Sequence, residues 1–209
     1  MPLRRARAVA RHLRRGDFYS ILRAVSARLP DGLLEYRRLA ILQLRDHRTL
    51  RRHHALKIRE ATAAEMDWLA ACLARRRPGA ADLRQRCERG HTCFVAEAAG
   101  QAVGVTWATF APYQLEPLGR VFTPGAHGIF LYDAYTVPEW RLKGVHVNLW
   151  EHLMDWARER GVSTAYCAVE QDNNHSLRTH LSFGFRVLQH MSALRILGIA
   201  WHRVERAGA

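Results

Sequence analysis

The sequence predicts an α/β (α+β) domain in which helices flank a mixed sheet, preceded by a basic N-terminal helical extension. Three observations carry this. A β-rich run, an amphipathic helix and a second β-rich run follow one another over residues 129–169, the pattern of two parallel strands joined by a right-handed crossover. Upstream, Cys93–Glu97 and Val103–Trp107 read as a hairpin about a turn at Ala99-Gly100-Gln101. Short helical segments precede that hairpin, and a helix closed by Gly184 leads into extended C-terminal chain.

Residues 1–55 read as the extension and residues 56–209 as the main domain. The chain carries 32 Lys and Arg against 19 acidic residues, a net charge of +13, and residues 1–60 hold 16 of those basic side chains. Such an excess suits an anionic partner: nucleic acid, an acidic membrane surface or a polyphosphate. Phe18, Ile21, Leu22, Val25 and Leu29 recur at helical spacing, and Pro30-Asp31-Gly32 ends that helix. Its apolar stripe either packs on the main domain or docks on a membrane surface. Leu39–Leu44 follows as a short strand before the basic connector Arg45–His54.

The main domain opens with the strand Leu56–Arg59, then a helix that begins at the capping pair Thr62 and Glu65 and runs through Leu73. Pro78-Gly79 breaks it, and a second short helix spans Ala80–Arg89 ahead of the hairpin. Residues 111–128 lack periodicity and hold Pro112, Pro117, Gly119, Pro124, Gly125 and Gly128. A connection of that length is expected to form a wall or lid over a substrate site.

Ile129–Val137 is the next strand, ended by Pro138. The helix after it aligns His146, Leu149, Trp150, Leu153, Met154 and Ala157 on one stripe, and Arg158, Arg160 and Gly161 supply its stop signals. Val162–Val169 returns as a strand. A short helix over Asn174–Phe183, a strand over Phe185–His190 and an extended segment over Ala193–Ile199 complete the order.

Several function classes lose support here. No apolar run approaches the ~20 residues that span a bilayer. Cys72, Cys87, Cys93 and Cys167 form no C-x-x-C pair and follow no signal-peptide pattern, so reduced thiols in a cytoplasmic protein are expected, with peripheral membrane contact through residues 1–55 left open. No His or Cys spacing suits a metal, and neither a G-x-S-x-G nor a G-x-x-x-x-G-K-[ST] motif occurs.

The chemistry concentrates at Val137-Pro138-Glu139-Trp140-Arg141-Leu142-Lys143-Gly144-Val145-His146. A strand-to-helix junction points backbone N–H groups outward at the positive end of the helix dipole, which suits a pyrophosphate. Gly144 permits close approach, and Arg141 and Lys143 add charge. On these residues alone, anion binding and an ordinary basic turn are both open.

This segment resembles the cofactor motif of the GNAT superfamily of acyl-CoA-dependent N-acetyltransferases: Arg or Gln, two residues, Gly, one residue, Gly or Ala, directly after a strand ending in Val-x-Pro or a near variant. Arg141, Gly144 and Val137-Pro138 match. His146 departs at the final small position, where it either crowds the phosphates or contacts them, and Leu142 stands where Gly is common. A second resemblance lies in Asn173, Ser176 and Gly184-Phe185, which follow the family's Asn, two residues, Ala or Ser, then a helix ending in Gly-Phe.

The resemblance implies a mixed central sheet of about six to seven strands and acetyl-CoA as co-substrate, with no metal. It implies cofactor contacts from Tyr135, Thr136, Val137, Arg141, Leu142, Lys143, Gly144, Val145, His146, Asn173 and Ser176. It further implies direct attack of a small-molecule or peptide amine on the thioester, aided by a base and an acid. Where the family often carries a Tyr acid, this chain has His180, which either donates a proton when charged or packs beside CoA. Asp133 is the expected base, placed by alternation on one face with Leu131, Tyr135 and Val137; a structural hydrogen bond is the other reading. A non-enzymatic anion-binding module using the basic N-terminal region is the competing function, and a homodimer is one open form of assembly.

Overall fold

In the computed structural model, the described residues are 33–45, 56–72 and 79–207, together with 22, 25, 26 and 28–30. The expected N-terminal helical stripe, the connector over 45–54 and the helix end at Leu73 fall wholly or largely outside them.

In chain order the elements are β1 (Leu34–Leu44), β2 (Lys57–Ala61), α1 (Met66–Cys72), α2 (Ala80–Glu88), β3 (Thr92–Ala98), β4 (Gln101–Thr109), β5 (Tyr113–Leu115), β6 (Arg120–Phe122), β7 (Gly128–Thr136), α3 (Val145–Glu159), β8 (Thr164–Glu170), α4 (Asn174–Ser182), β9 (Arg186–Ile196) and β10 (Ile199–Arg206). Eight strands form one sheet in the order β10-β9-β1-β8-β7-β4-β3-β2, and β5 pairs with β6 separately. β7 and β8 are parallel, as their helical crossover requires; the other neighbours are antiparallel.

Two expectations are corrected here. The segment expected as a short strand over 39–44 is eleven residues long and lies inside the sheet, with Leu39 opposite Glu170 on one side and Met191 on the other. A boundary at residue 55 therefore falls after a strand that is integral to the sheet. The C-terminal segment is a continuous β9, a two-residue turn at Leu197-Gly198, and a further strand, β10. Both turn residues have positive φ, 48° and 82°, which is the backbone twist that two-residue hairpins favour.

Helix α3 packs on one sheet face, where Leu149, Trp150 and Leu153 meet Ala40, Leu42, Phe94 and Leu131. Its approach depends on Gly104 of β4. A Cβ there would lie 2.5 Å from Val145 Cγ1 and 3.1 Å from the Tyr135 carbonyl. On the other face α1 and α2 cover Val95, Val105 and Trp107. Beside them, residues 111–128 hold two short strands and pack on the sheet, Leu115 and Leu118, with Tyr113 and Phe122, meeting Leu39, Ile41, Phe130 and Met191. The carboxylate of Glu65 accepts from both the N–H and the hydroxyl of Thr62, at 2.8 and 2.9 Å, and so opens the first helix as its spacing predicts.

Candidate active site

The parallel pairing covers Gly128–Leu131 against Thr164–Cys167, after which β7 runs on to Thr136 and β8 to Glu170. The strands thus open into a wedge at their C-terminal ends, where open α/β sheets usually bind ligands. A cavity of about 170 Å³ occupies it, walled by residues 131–134 of β7, residues 167–169 of β8, His146 and Trp150 of α3, and Ser176 and His180 of α4.

The junction expected to hold an anion lies between β7 and α3. After a single 3-10 turn at Pro138–Trp140, Leu142 takes φ +63° and Gly144 φ +75° as the N-cap of α3. Leu142 therefore adopts the left-handed conformation that explains why glycine is common there, and its side chain is 99% exposed. The Gly144 carbonyl accepts from Asn148 N and Nδ2, at 3.0 and 2.9 Å, fixing the helix start. Arg141 Nε reaches the Thr136 carbonyl at 3.4 Å, and Lys143 Nζ lies 5.0 Å from the Trp140 ring. Val137 N–H donates to Val103 at 3.0 Å, and Tyr135 pairs with Val105, so both belong to the strand ladder. Val145 is buried beneath the junction.

His146 turns toward α4. Its ring stacks on Phe183 at 5.6 Å and meets the His180 ring edge-on at 5.8 Å. Burial, reinforced by His180, pushes its pKa down to about 4, so a neutral ring lines the cleft. Asn173 Oδ1 accepts from Ser176 N–H at 3.1 Å and caps α4. Ser176 carries the helix start and reaches the cavity.

His180 lines the same cavity from α4. It is 9% exposed, and its Nδ1 donates to the Ser176 carbonyl at 2.8 Å, because a carbonyl can only accept. Burial lowers its pKa, against the raising effect of that bond. The ring at neutral pH is uncharged with Nε2 as its lone-pair site. The resting ring is therefore a neutral acceptor at Nε2, one that becomes a donor only after taking up a proton.

Asp133 also departs from its expected setting. Across β4 and β7 the register passes from Trp107–Tyr132 to Val105–Tyr135, so Asp133 and Ala134 together oppose Thr106, and Asp133 has φ +51°. This β-bulge interrupts the alternation. Leu131 packs with the α3 side while Tyr135 packs with the α1–α2 side. Asp133 Oδ2 accepts from Arg86 Nη1 of α2 at 2.7 Å, so the carboxylate does not share a face with Leu131.

Arg86 and its neighbours were missed in the sequence. The guanidinium sits 5.2 Å from the Trp107 ring and 5.3 Å from the Tyr132 ring. Burial would lower its pKa, but the bond and charge of Asp133 outweigh it. Tyr132 is held protonated by burial, and its hydroxyl is hydrogen-bonded to His91 Nδ1 at 2.5 Å. Burial, with Arg86 and Arg89, keeps that imidazole neutral. Tyr113 lies tilted against Tyr132, with ring centroids 4.4 Å apart. A second, aromatic and polar wall thus faces α2, across the sheet from α4. Only the three-dimensional bulge joins these residues to Asp133.

The bulge of β7, the start of α3 and the first turns of α4 thus meet around one cavity at the C-terminal ends of β7 and β8. Residues 61–185 match the model of the acetyltransferase (GNAT) family, and the chain belongs to that family. Among solved structures, the chain is similar to a GNAT-family acetyltransferase structure from Novosphingobium aromaticivorans, with 15% identity, TM-score 0.56, and coverage of 86% of this chain and 70% of that one. A Drosophila protein aligns with 11% identity and TM-score 0.53 over 80% of this chain, which spans just over half (54%) of that protein. AAC(6')-Iy, solved with the bisubstrate analog CoA-S-monomethyl-acetylneamine, aligns with 20% identity and TM-score 0.52 over 63% of this chain and 90% of that one. At these identities the likeness concerns the fold. No curated protein sequence matches the chain significantly. Among the described residues, no helix is long and apolar enough to cross a membrane, and no group of three or more His, Cys, Asp or Glu could hold a metal ion.

Proposed function

We propose that the chain transfers an acetyl group from acetyl-CoA to an amine by direct attack of nitrogen on the thioester. The observation that carries this reading is the wedge between β7 and β8, with the Leu142–Gly144 junction at its mouth and the cavity within. The residues present fit the co-substrate. Backbone N–H groups of Gly144, Val145 and His146 at the start of α3, with the charges of Arg141 and Lys143, hold the pyrophosphate. Residues 133–137 of β7, with Asn173 and Ser176, guide the pantetheine arm. The bound thioester supplies the activated acyl carbon.

The amine enters on the face of α2, where Asp133, already anchored by Arg86, orients it as a hydrogen-bond acceptor. An ammonium must first lose one proton to solvent. Attack then makes the C–N bond and breaks the C–S bond, and a second proton must pass from nitrogen to sulfur. His180 carries it: neutral Nε2 accepts the proton, and the resulting imidazolium returns it to the thiolate. The family's usual Tyr acid is thereby replaced by a ring that both accepts and donates.

Titration calorimetry with acetyl-CoA is expected to show one site per chain, and complete absence of binding to folded protein rejects the reading. Mass spectrometry of an amine panel incubated with acetyl-CoA identifies the acceptor. Once an acceptor is in hand, His180→Gln is expected to lower kcat by roughly 10²-fold with acetyl-CoA affinity unchanged; full activity removes His180 from the mechanism. Asp133→Asn is expected to raise KM for the amine, and unchanged kinetics remove its orienting role.

A further inference from the structure

β10 is the last strand of the sheet, and among the described residues it pairs with β9 alone. An edge of eight residues presents a row of N–H and C=O groups, a template for another strand unless it is blunted. This one, Ile-Ala-Trp-His-Arg-Val-Glu-Arg, contains no proline or lysine and carries its charges, Arg203, Glu205 and Arg206, in its C-terminal half. Its apolar side chains are left out: Ile199 is 62% exposed, Trp201 52% and Val204 48%.

The hairpin fixes which groups face outward. In a two-residue connection the flanking residues, Ile196 and Ile199, exchange both backbone bonds. Alternation then directs Ile199, Trp201, Arg203 and Glu205 inward to β9, and the N–H and C=O of Ala200, His202 and Val204 to the open side. A two-fold axis perpendicular to the sheet pairs residues of like parity, so each copy's outward groups meet the other's.

We propose that β10 is a homodimer interface, in which two copies join antiparallel about His202 to make one continuous sixteen-stranded sheet. Two registers keep seven residues paired. Centred on Arg203, the axis sets like guanidinium groups against each other. Centred on His202, it sets Trp201 against the second copy's Arg203, a cross-strand cation–π pair made twice, and Ile199 against the aliphatic stem of the second copy's Glu205. Charge therefore selects the His202 register. On the same sheet face, Arg203 and Arg38 hold Glu205 at 2.8 and 2.9 Å, which pairs two of the strand's charges, Arg203 and Glu205.

Light scattering coupled to size exclusion tests this on the full chain, independently of any acyl transfer. Wild type is expected at twice the chain mass of 24.0 kDa. Trp201→Glu and His202→Pro are expected to run at the single-chain mass with unchanged circular dichroism; proline there removes only an outward N–H. Val121→Lys, on the β5–β6 wall, is expected to remain dimeric. Under mild oxidation His202→Cys is expected to cross-link to itself. A monomeric wild type, as when the edge is covered by the chain's own N-terminal residues, overturns the proposal. A dimer that survives Trp201→Glu and His202→Pro, or cross-linking by Arg203→Cys in place of His202→Cys, overturns it equally.

Discussion

His146 and His180 form a neutral pair inside the cleft, which links the site to stability. A histidine with a lowered folded pKa binds fewer protons when native than when unfolded. Stability then rises with pH between the folded value, about 4 for His146, and the unfolded value near 6.5. Above 6.5 this contribution is constant; as pH falls toward 4 it is lost, up to roughly 3 kcal/mol. Urea unfolding at pH 7.5 and pH 5 is expected to show about 2 kcal/mol of that loss, and His146→Gln to flatten the slope. Arg86 presents a different case. Arg86→Leu leaves the Asp133 carboxylate without its guanidinium in a partly buried setting, and is expected to destabilise by about 2 kcal/mol in the same assay. The sequence brought His146, Ser176, His180 and Asp133 to light, and one cavity gathers all four. It concealed the facing of Asp133, because one extra residue in a strand reverses sides without altering composition. Arg86 was equally hidden: among Arg84, Arg86 and Arg89, only folding shows which one lies beneath the sheet aromatics.

At the scale of single elements, the close seat of α3 on β4 is the most exacting. Gly104→Ala drives a methyl into Val145 and the Tyr135 carbonyl, and is expected to cost about 1–3 kcal/mol in denaturant unfolding, with weaker acetyl-CoA binding as the helix start shifts. Asn173→Ala removes the cap of α4 and is expected to cost about 1 kcal/mol. Long elements with one buried stripe were legible, since α3 and its flanking strands repeat at their own periods. Short or two-sided ones were not. β5 and β6 have three residues each, too few for a period to appear. β10 alternates poorly because an edge strand exposed on both faces has no inside to mark. The first half of β1, Leu-Glu-Tyr-Arg-Arg, reads as polar because its charges pair across the strands, Arg37 with Glu170 at 3.3 Å and Arg38 with Glu205 at 2.9 Å.

For the whole molecule, a ligand that binds only the folded state stabilises it by mass action. Acetyl-CoA at a hundred times its Kd adds about 2.7 kcal/mol, which for a chain of this size raises Tm by roughly 5–10 °C. Differential scanning fluorimetry with acetyl-CoA checks this, and an unchanged Tm at saturating concentration counts against the wedge as its site. β1 carries one further consequence. It lies between β8 and β9, pairing Leu44 with Ala165 and Leu34 with Ile196, so both neighbours are encoded more than half a chain later. At the pace of translation those neighbours emerge on the order of ten seconds after it. β2, β3, β4 and β7 can meanwhile assemble from contiguous chain. β1, the earliest of the described strands, thus waits longest for its partners, and its Ala40-Ile41-Leu42 centre stays open to chaperones, and to neighbouring nascent chains, until the C-terminal strands arrive.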